Sequence, residues 1–352
     1  MGKCLPAGRR SKVKQYLLPN GGQFFKANLH CHSILSDGRL TPQELKEKYH
    51  GMGYPILAMT DHEIMLPHQD LTDEHFLCLH GYEMEVNEEK EGEYANKRTC
   101  HMGLIALEKD NLRQVCWHPE KYVFANGLLH RHLVQFDPQS SPYERRYDPA
   151  CISDMMKKGR EGGFFVTYNH PTWSQEGSDR YLHYHHMHAM EICNFDCILE
   201  GQQEYNPRVY NDMLRNGEKI FCIAADDNHN RDDQLFGMSD SGGAWTMIKA
   251  ENLQYRTVTK ALEAGHFYAS RGPKIHELYV EDDFLHIATS PAREIMFSCG
   301  NRRARFFRSE DGRPVTHASY PLHADCIYVR VTVVDDRGMT ADTNAYFMED
   351  IL

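Results

Sequence analysis

The chain has no C-x-x-C pair, no G-x-G-x-x-G, no G-K-[ST] and no uninterrupted apolar run of about 18 residues. Each absence removes a class. Without C-x-x-C, the eleven cysteines, an odd count in a large chain, read as reduced buried thiols rather than as a disulfide framework or a zinc knuckle. Cys193 and Cys197 are expected in the core. Without a long apolar run no membrane span is expected, and the basic start MGKCLPAGRRSKVK has no apolar stretch behind it to make a signal peptide. Pro6 and Ala7 also fit poorly the acylation pattern that Met1-Gly2 would open. A soluble, cytoplasmic protein is expected. Without a phosphate-cradling glycine motif, nucleotide-cofactor chemistry has no support. Positive charge is short as well: 39 Lys and Arg against 50 Asp and Glu leave a net charge of −11. That opposes a nucleic-acid surface, which needs a basic stripe to release counterions. A small-molecule substrate is favoured, and the oligomeric state stays open.

What is present has a clear order. At 352 residues the chain suits one large domain and one small one. From residue 24 to about 270, short apolar runs alternate with helical patterns: FFKANLH, TPQELKEKYHGMG, YPILAMTDH, FLCLHGYEMEV. Thr41 as N-cap, Pro42 at the first helical position, Glu44 completing a capping box, and Gly51 or Gly53 at the end predict one helix. Asp148-Pro149 and Asn206-Pro207 open two more, each followed by an apolar strand, GFFVTYNH and KIFCIAADDNH. Such runs fit a parallel sheet buried on both faces, and the repetition predicts a (β/α) barrel. After RGP at 271–273, short alternating runs separated by turn residues predict a small antiparallel β-sandwich over 273–352. Residues 1–23 are read as an N-terminal extension.

Polar residues gather where the predicted strands end. His30 and His32 close the first, Asp61 and His62 the second, Glu83 the third, His170 a later one, and Asp227 with His229 the last. His101 is the exception, preceding its apolar run MGLIAL. In a barrel of parallel strands the C-terminal ends share one face, so these imidazoles and carboxylates would meet there. A nitrogen and oxygen donor set without cysteine suits Mn, Fe or Zn, and more than four donors implies more than one ion. DSGG at 240–243 looks like a serine-protease signature but lacks its context, so no serine nucleophile is assigned. HYHHMH, His183 to His188, precedes a strand and is placed on the opposite face from the site.

NLHCHSILSDG, AMTDHE, HGYEMEV, CHM, YNHP and ADDNH match, in order, the motifs of the PHP (polymerase and histidinol phosphatase) superfamily. The chain resembles that family over residues 24–272, and its whole layout resembles the carbaryl-hydrolase-like branch. The resemblance implies a distorted (β/α)7 barrel whose mouth holds two or three divalent ions. It implies His30, His32, Glu83 and Asp227 around a first ion, Glu83 bridging to a second held by His101 and His170, and Asp37, His62 and His229 around a third. Asp226 stands where the family often has Ser or Thr, which leaves open which Asp of the pair is the ligand. Such a cluster can hold a shared hydroxide that is nucleophilic near neutral pH. The expected function is a multinuclear metal-dependent hydrolase, first a phosphoesterase cleaving a small phosphate monoester or diester, with Glu83, Asp227 and His229 as catalytic residues. Hydrolysis of a carboxyl ester, carbamate or amide of the carbaryl-hydrolase type is one alternative. A non-catalytic metal-binding or polymerase-associated module is the other. Residues 86–147, longer than one βα loop and rich in cations, read as a lid-like insertion in which Arg98 and Arg131 are candidate substrate contacts.

Overall fold

The computed structural model describes residues 14–235, 237–308 and 311–352; Met1-Gly2 and the rest of 1–13 lie outside them. The apolar runs of the first two-thirds become strands, in chain order β1 (Gln15–Tyr16), β2 (Gln23–Asn28), β3 (Ile56–Met59), β4 (Leu77–Asn87), β5 (Thr99–Ala106), β6 (Phe164–Tyr168), β7 (Ala189–Asn194), β8 (Phe221–Ala225), β9 (Trp245–Ala250) and β10 (Phe267–Ser270). Beyond residue 273 come β11 (Ile275–Glu281), β12 (Phe284–Ala292), β13 (Glu294–Ser298), β14 (Arg305–Arg308), β15 (Val315–Pro321), β16 (Tyr328–Val334) and β17 (Thr340–Thr343). One large mixed sheet runs β8-β7-β6-β5-β4-β3-β2-β9-β10-β17-β16-β13-β14, and a four-stranded sheet runs β1-β11-β12-β15.

The expected closed barrel is not formed. The strands β2 to β8 lie side by side, but β2 gives its second edge to antiparallel β9, so it has no free ladder to offer β8. Only the chain beyond their ends meets, in an isolated parallel bridge between Cys31 and Asn228, with the His32 N–H donating to Asn228 O at 3.0 Å and the Asp227 N–H to His30 O at 3.0 Å. Along β8 itself side chains replace the ladder. Thr246 Oγ1 accepts from the Ala224 N–H at 3.2 Å and donates to Ala224 O at 3.0 Å, while Asn344 Oδ1 accepts from the Cys222 N–H at 3.0 Å. The sheet is also not wholly parallel. β5 runs antiparallel to both β4 and β6. It falls inside the segment 86–147, of which residues 107–147 therefore make the excursion outside the main sheet.

Local signals behave as the residues require. α1 (Pro42–Gly51) carries Thr41 as N-cap with a complete capping box to Glu44. α2 (Pro149–Glu161) starts on Asp148, whose carboxylate accepts from the Cys151 N–H. α3 (Pro207–Arg215) differs: Asn206 makes no side-chain cap, because its Oδ1 accepts from the Thr172 hydroxyl at 2.8 Å while its NH2 donates to Glu204. All ten described cysteines are free and buried.

Past residue 273 the two sheets face each other over one core containing Leu278, Leu285, Ile287, Ile295, Phe297, Val331 and Val333, to which Leu17 and Leu18 of the N-terminal segment add. One of these layers is continuous with the large sheet, through β10 and β17. Polar ties support the same seam: buried Arg330 Nη1 meets Asp342 Oδ1 at 2.9 Å, and across it the Tyr205 hydroxyl donates to Asp342 Oδ2 at 3.0 Å and Arg330 Nε to Asn211 Oδ1 at 2.9 Å, both half-buried. Asn344 donates to the carbonyls of Gly265 and Phe267 as well as holding Cys222. Asn344→Ala would remove the partner of the buried Cys222 N–H and of the Phe267 carbonyl, while Gly265 O keeps the Phe267 N–H at 2.9 Å. It is expected to destabilise the folded chain by about 2–3 kcal/mol in denaturant unfolding; a loss below about 0.5 kcal/mol would show that this tie is dispensable.

Candidate metal centre

The strand ends deliver the donors to one place. His30 and His32 follow β2, His62 follows β3, His170 follows β6, and Asp227 and His229 follow β8. His101 joins them from the start of its strand, and the reason is polarity: β5 is antiparallel, so its N-terminal end lies with its neighbours' C-terminal ends. Glu83 lies inside β4, which runs on to Asn87 because it pairs with β5. Asp37 comes from the loop after His32, where Gly38 packs so closely that a Cβ would fall 2.4 Å from His32 O. Only glycine fits there.

The donors are buried and close. His30 Nε2 lies 3.1 Å from Asp227 Oδ1 and 3.2 Å from Glu83 Oε1; His32 Nε2 lies 2.9 Å from Asp227 Oδ1 and 3.0 Å from His30 Nε2. Glu83 is also 3.3 Å from His170 Nε2 through Oε1, and 3.2 Å from His62 Nδ1 and 3.4 Å from His101 Nδ1 through Oε2. Asp37 approaches His229 Nε2 at 3.5 Å and His32 and His62 at 3.8 Å. Among the described residues, groups whose donor atoms lie within 4.8 Å of one another are His30, His32 and Asp227; Glu83, His101 and His170; and His32, Asp37, His62 and His229. Two further groups, His30 with His170 and Glu191, and His62 with Glu85 and His101, add carboxylates that were not expected.

The donors themselves suit divalent ions. Glu83 Oε2, His62 Nδ1, His101 Nδ1, His32 Nδ1 and Asp227 Oδ1 are buried without an aligned hydrogen bond, although several stand within 3.5 Å of one another. Atoms aimed at a common point, and not at each other, behave this way. Burial, then the neighbouring His229 and His62, pushes His32 down to about 3, which leaves its ring neutral with a lone pair free. Burial opposes the charge of Glu83, yet His30 and His101 beside it hold its carboxyl well below the usual range.

Supporting groups fix the donors. Glu191 Oε1 meets His30 Nδ1 at 2.8 Å, and Glu191 Oε2 accepts the His170 N–H at 3.0 Å. Asn194 donates to both Glu191 and Asp227 at 3.0 Å, and Asn169 donates to Glu83 Oε1 at 2.7 Å. Asp61 faces away, accepting from the Ser33 N–H and the hydroxyls of Ser33 and Ser36. The aspartate pair divides likewise: Asp226 accepts from Tyr49 and from the Gly242, Gly243 and Ala244 N–H groups. This ties down the DSGG loop and leaves Asp227 to the centre. His170 and Asp227 have φ of 24° and 55°, left-handed values costly for non-glycine residues and found where function constrains the backbone. Of the unexpected carboxylates, Glu85 left the signal of sharing a strand face with Glu83, but only the pairing with β5 sets His101 beside it. Glu191 left only the trace of a charged residue inside an apolar strand.

The donors floor an open cavity of about 570 Å³. Its walls include Tyr94, Phe124 and Trp173, and its one lining Lys or Arg among the described residues is Arg231. Arg98 and Arg131 do not line it. Arg98 is engaged by Glu88 and Asp179, and Arg131 donates to Val123 O. His183 to His188 contribute to none of the potential metal groups; His188 Nδ1 accepts the Val166 N–H at 3.0 Å. No described helix is long and apolar enough to cross a membrane.

No family model and no curated protein matches the sequence. Among solved structures, the fold is similar over 96% of this chain and 100% of the other to a two-domain protein from Bacteroides vulgatus containing a predicted PHP-like metal-dependent phosphoesterase, at 16% identity and TM-score 0.43. A PHP-like phosphoesterase thus stands among the structural neighbours. A proposed metal-dependent phosphoesterase from Bifidobacterium adolescentis aligns over 60% of this chain and 89% of its own, at 15% identity and TM-score 0.35. An amidohydrolase from Chromobacterium violaceum, with bound sulfate and no metal, aligns over 58% and 87%, at 16% identity and TM-score 0.37.

Protein purified without chelator is expected to hold at least about two equivalents of transition metal, with a lower thermal midpoint once the metal is stripped. Elemental analysis would overturn this by finding less than one equivalent in protein that also fails to take up Mn, Fe or Zn.

Proposed function

We propose that this chain is a metal-dependent hydrolase of a small-molecule ester, with His30, His32, Asp37, His62, Glu83, His101, His170, Asp227 and His229 holding two or three divalent ions. The observation that carries the reading is the convergence of buried, unaligned donor atoms on the floor of an open cavity. When bound, Mn, Fe or Zn supplies Lewis acidity and a water of lowered pKa. Glu83 directs one oxygen at His30 and His170 and the other at His62 and His101, so it joins neighbouring donor groups. Asn194 fixes Asp227, and the Asp227 carbonyl orients His229 through Nδ1 at 2.8 Å. No described residue beyond 272 lines the cavity, which supports a division in which 24–272 carries the chemistry and 273–352 supports it.

A phosphoester is read first, because the group His32, Asp37, His62 and His229 offers a further cation position for the non-bridging oxygens of a phosphoryl group. The second reading, a carboxyl ester, carbamate or amide, is favoured by one observation: Arg231 is already bonded to Asp196 at 2.7 Å and Glu200 at 2.9 Å, so among the described residues no free guanidinium lines the cavity to await a phosphate. The complete donor set and the open cavity speak against a non-catalytic module.

Glu83→Gln is expected to lose metal and at least about a thousandfold in turnover, because it touches donors of more than one group. His62→Ala should retain the first pair and lose about 10–100-fold in kcat/KM. Both are assayed on phenyl phosphate, bis(4-nitrophenyl) phosphate and phenyl acetate, with metal content measured in parallel. Parental turnover by Glu83→Gln at full metal content would refute the bridging role.

A further inference from the structure

The cavity walls carry information about the substrate that the donor floor does not. Trp173 is fixed at three points: its N–H donates to Glu204 Oε2 at 2.6 Å, its indole N–H to Glu200 Oε2 at 2.8 Å, and its ring stands 5.1 Å from His170 and 5.4 Å from His101. Tyr94 lies 6.3 Å from it. On the His62 side Phe124 packs at 5.1 Å. Aromatic rings therefore stand on both banks of the ligand cluster, and Trp173 is held in place before any ligand arrives. Rings preset in this way favour a flat apolar partner, because little ordering entropy remains to be lost.

The charges of the walls point the same way. Among the described residues, the lining carboxylates beyond the proposed ligands are Glu85, Asp196 and Glu200, against the single guanidinium of Arg231, which Asp196 and Glu200 already neutralise. A substrate whose remote part is anionic would have to sit among carboxylates with no free cation to meet it. An uncharged ring pays no such penalty.

We propose that the cavity selects small esters carrying an uncharged aromatic group, with Trp173, Tyr94 and Phe124 as the aryl subsite beside the metal floor. This rests on the hydrolase reading for the chemistry, while the subsite itself is tested by binding alone. The full chain loaded with Mn is titrated calorimetrically with three inert probes: phenylphosphonate, methylphosphonate and 4-carboxyphenylphosphonate. Phenylphosphonate is expected to bind about tenfold tighter than methylphosphonate, and the added carboxylate to weaken phenyl binding at least about threefold. In Trp173→Ala the phenyl-to-methyl ratio should fall below about threefold, and Trp173→Phe should restore most of it. Phe124→Ala, made in parallel, should lower the same ratio without disturbing the Trp173 anchor. Equal affinity for the phenyl and methyl probes, or tighter binding of the carboxylated ring, overturns the proposal whatever the catalytic result. Conversely, a phenyl preference in protein that cleaves neither phenyl phosphate nor phenyl acetate would sustain the subsite and sink the hydrolase reading.

Discussion

One buried carboxylate organises the site. Glu83, 1% exposed, stands within 3.5 Å of imidazole nitrogens from His30, His32, His62, His101 and His170. A lone carboxylate at that depth would be costly; here its charge is met from every side by rings that arrive on different strands. This requirement fixes much else. β2, β3, β4, β5 and β6 must present their ends or faces to one point, so their relative stagger is not free. The reversed direction of β5 is part of the same constraint, since it carries His101 to the mouth from the other end of a strand.

Around that centre lies a layer of neutral and acidic groups that aim the donors. Asn28, Tyr49 and Asn228 form a buried chain that ends on Asp226, and the loop amides of Gly242, Gly243 and Ala244 complete it. Asp226 is pushed up to about 6 by burial, which those amides oppose. The loop and the end of β8 are thereby locked together, and Asp227 is left pointing inward. On the other flank, Glu191 and Asn194 hold His30, His170 and Asp227, and Arg145 of the 107–147 excursion, paired with buried Glu63, donates to Glu85 O of β4 at 2.8 Å. Such groups are polar, buried and nearly all paired, the condition under which an interior network rigidifies a site.

The C-terminal strands are joined to this framework by continuity of the sheet and by polar ties. β17 pairs with β10, Asn344 reaches β8, and Arg330 and Asp342 engage Asn211 and Tyr205. Movement across that seam would break paired buried groups, so the edge strand that carries Asp227 and His229 at its end is held by residues more than a hundred positions later in the chain.

The residue sequence by itself determined the helix starts, the apolar strands and most of the donor set. Those depend on local chemistry: a capping box satisfies its own amides, an apolar run seeks burial, and H-x-H at a strand end declares itself without reference to distant residues. The inner aspartate of the 226–227 pair, the carboxylates Glu85 and Glu191, and the true surroundings of Arg98 and Arg131 were decided only by the tertiary structure. Each depends on a partner far away in the chain: Gly242 to Ala244 for Asp226, His101 for Glu85, His30 for Glu191, Asp179 for Arg98. Strand direction and closure belong to the same class. An apolar run such as MGLIAL reads identically in either direction, so only its pairing with β4 and β6 made it antiparallel. In the same way, only the claim of β9 on the second edge of β2 kept the sheet from closing into a barrel.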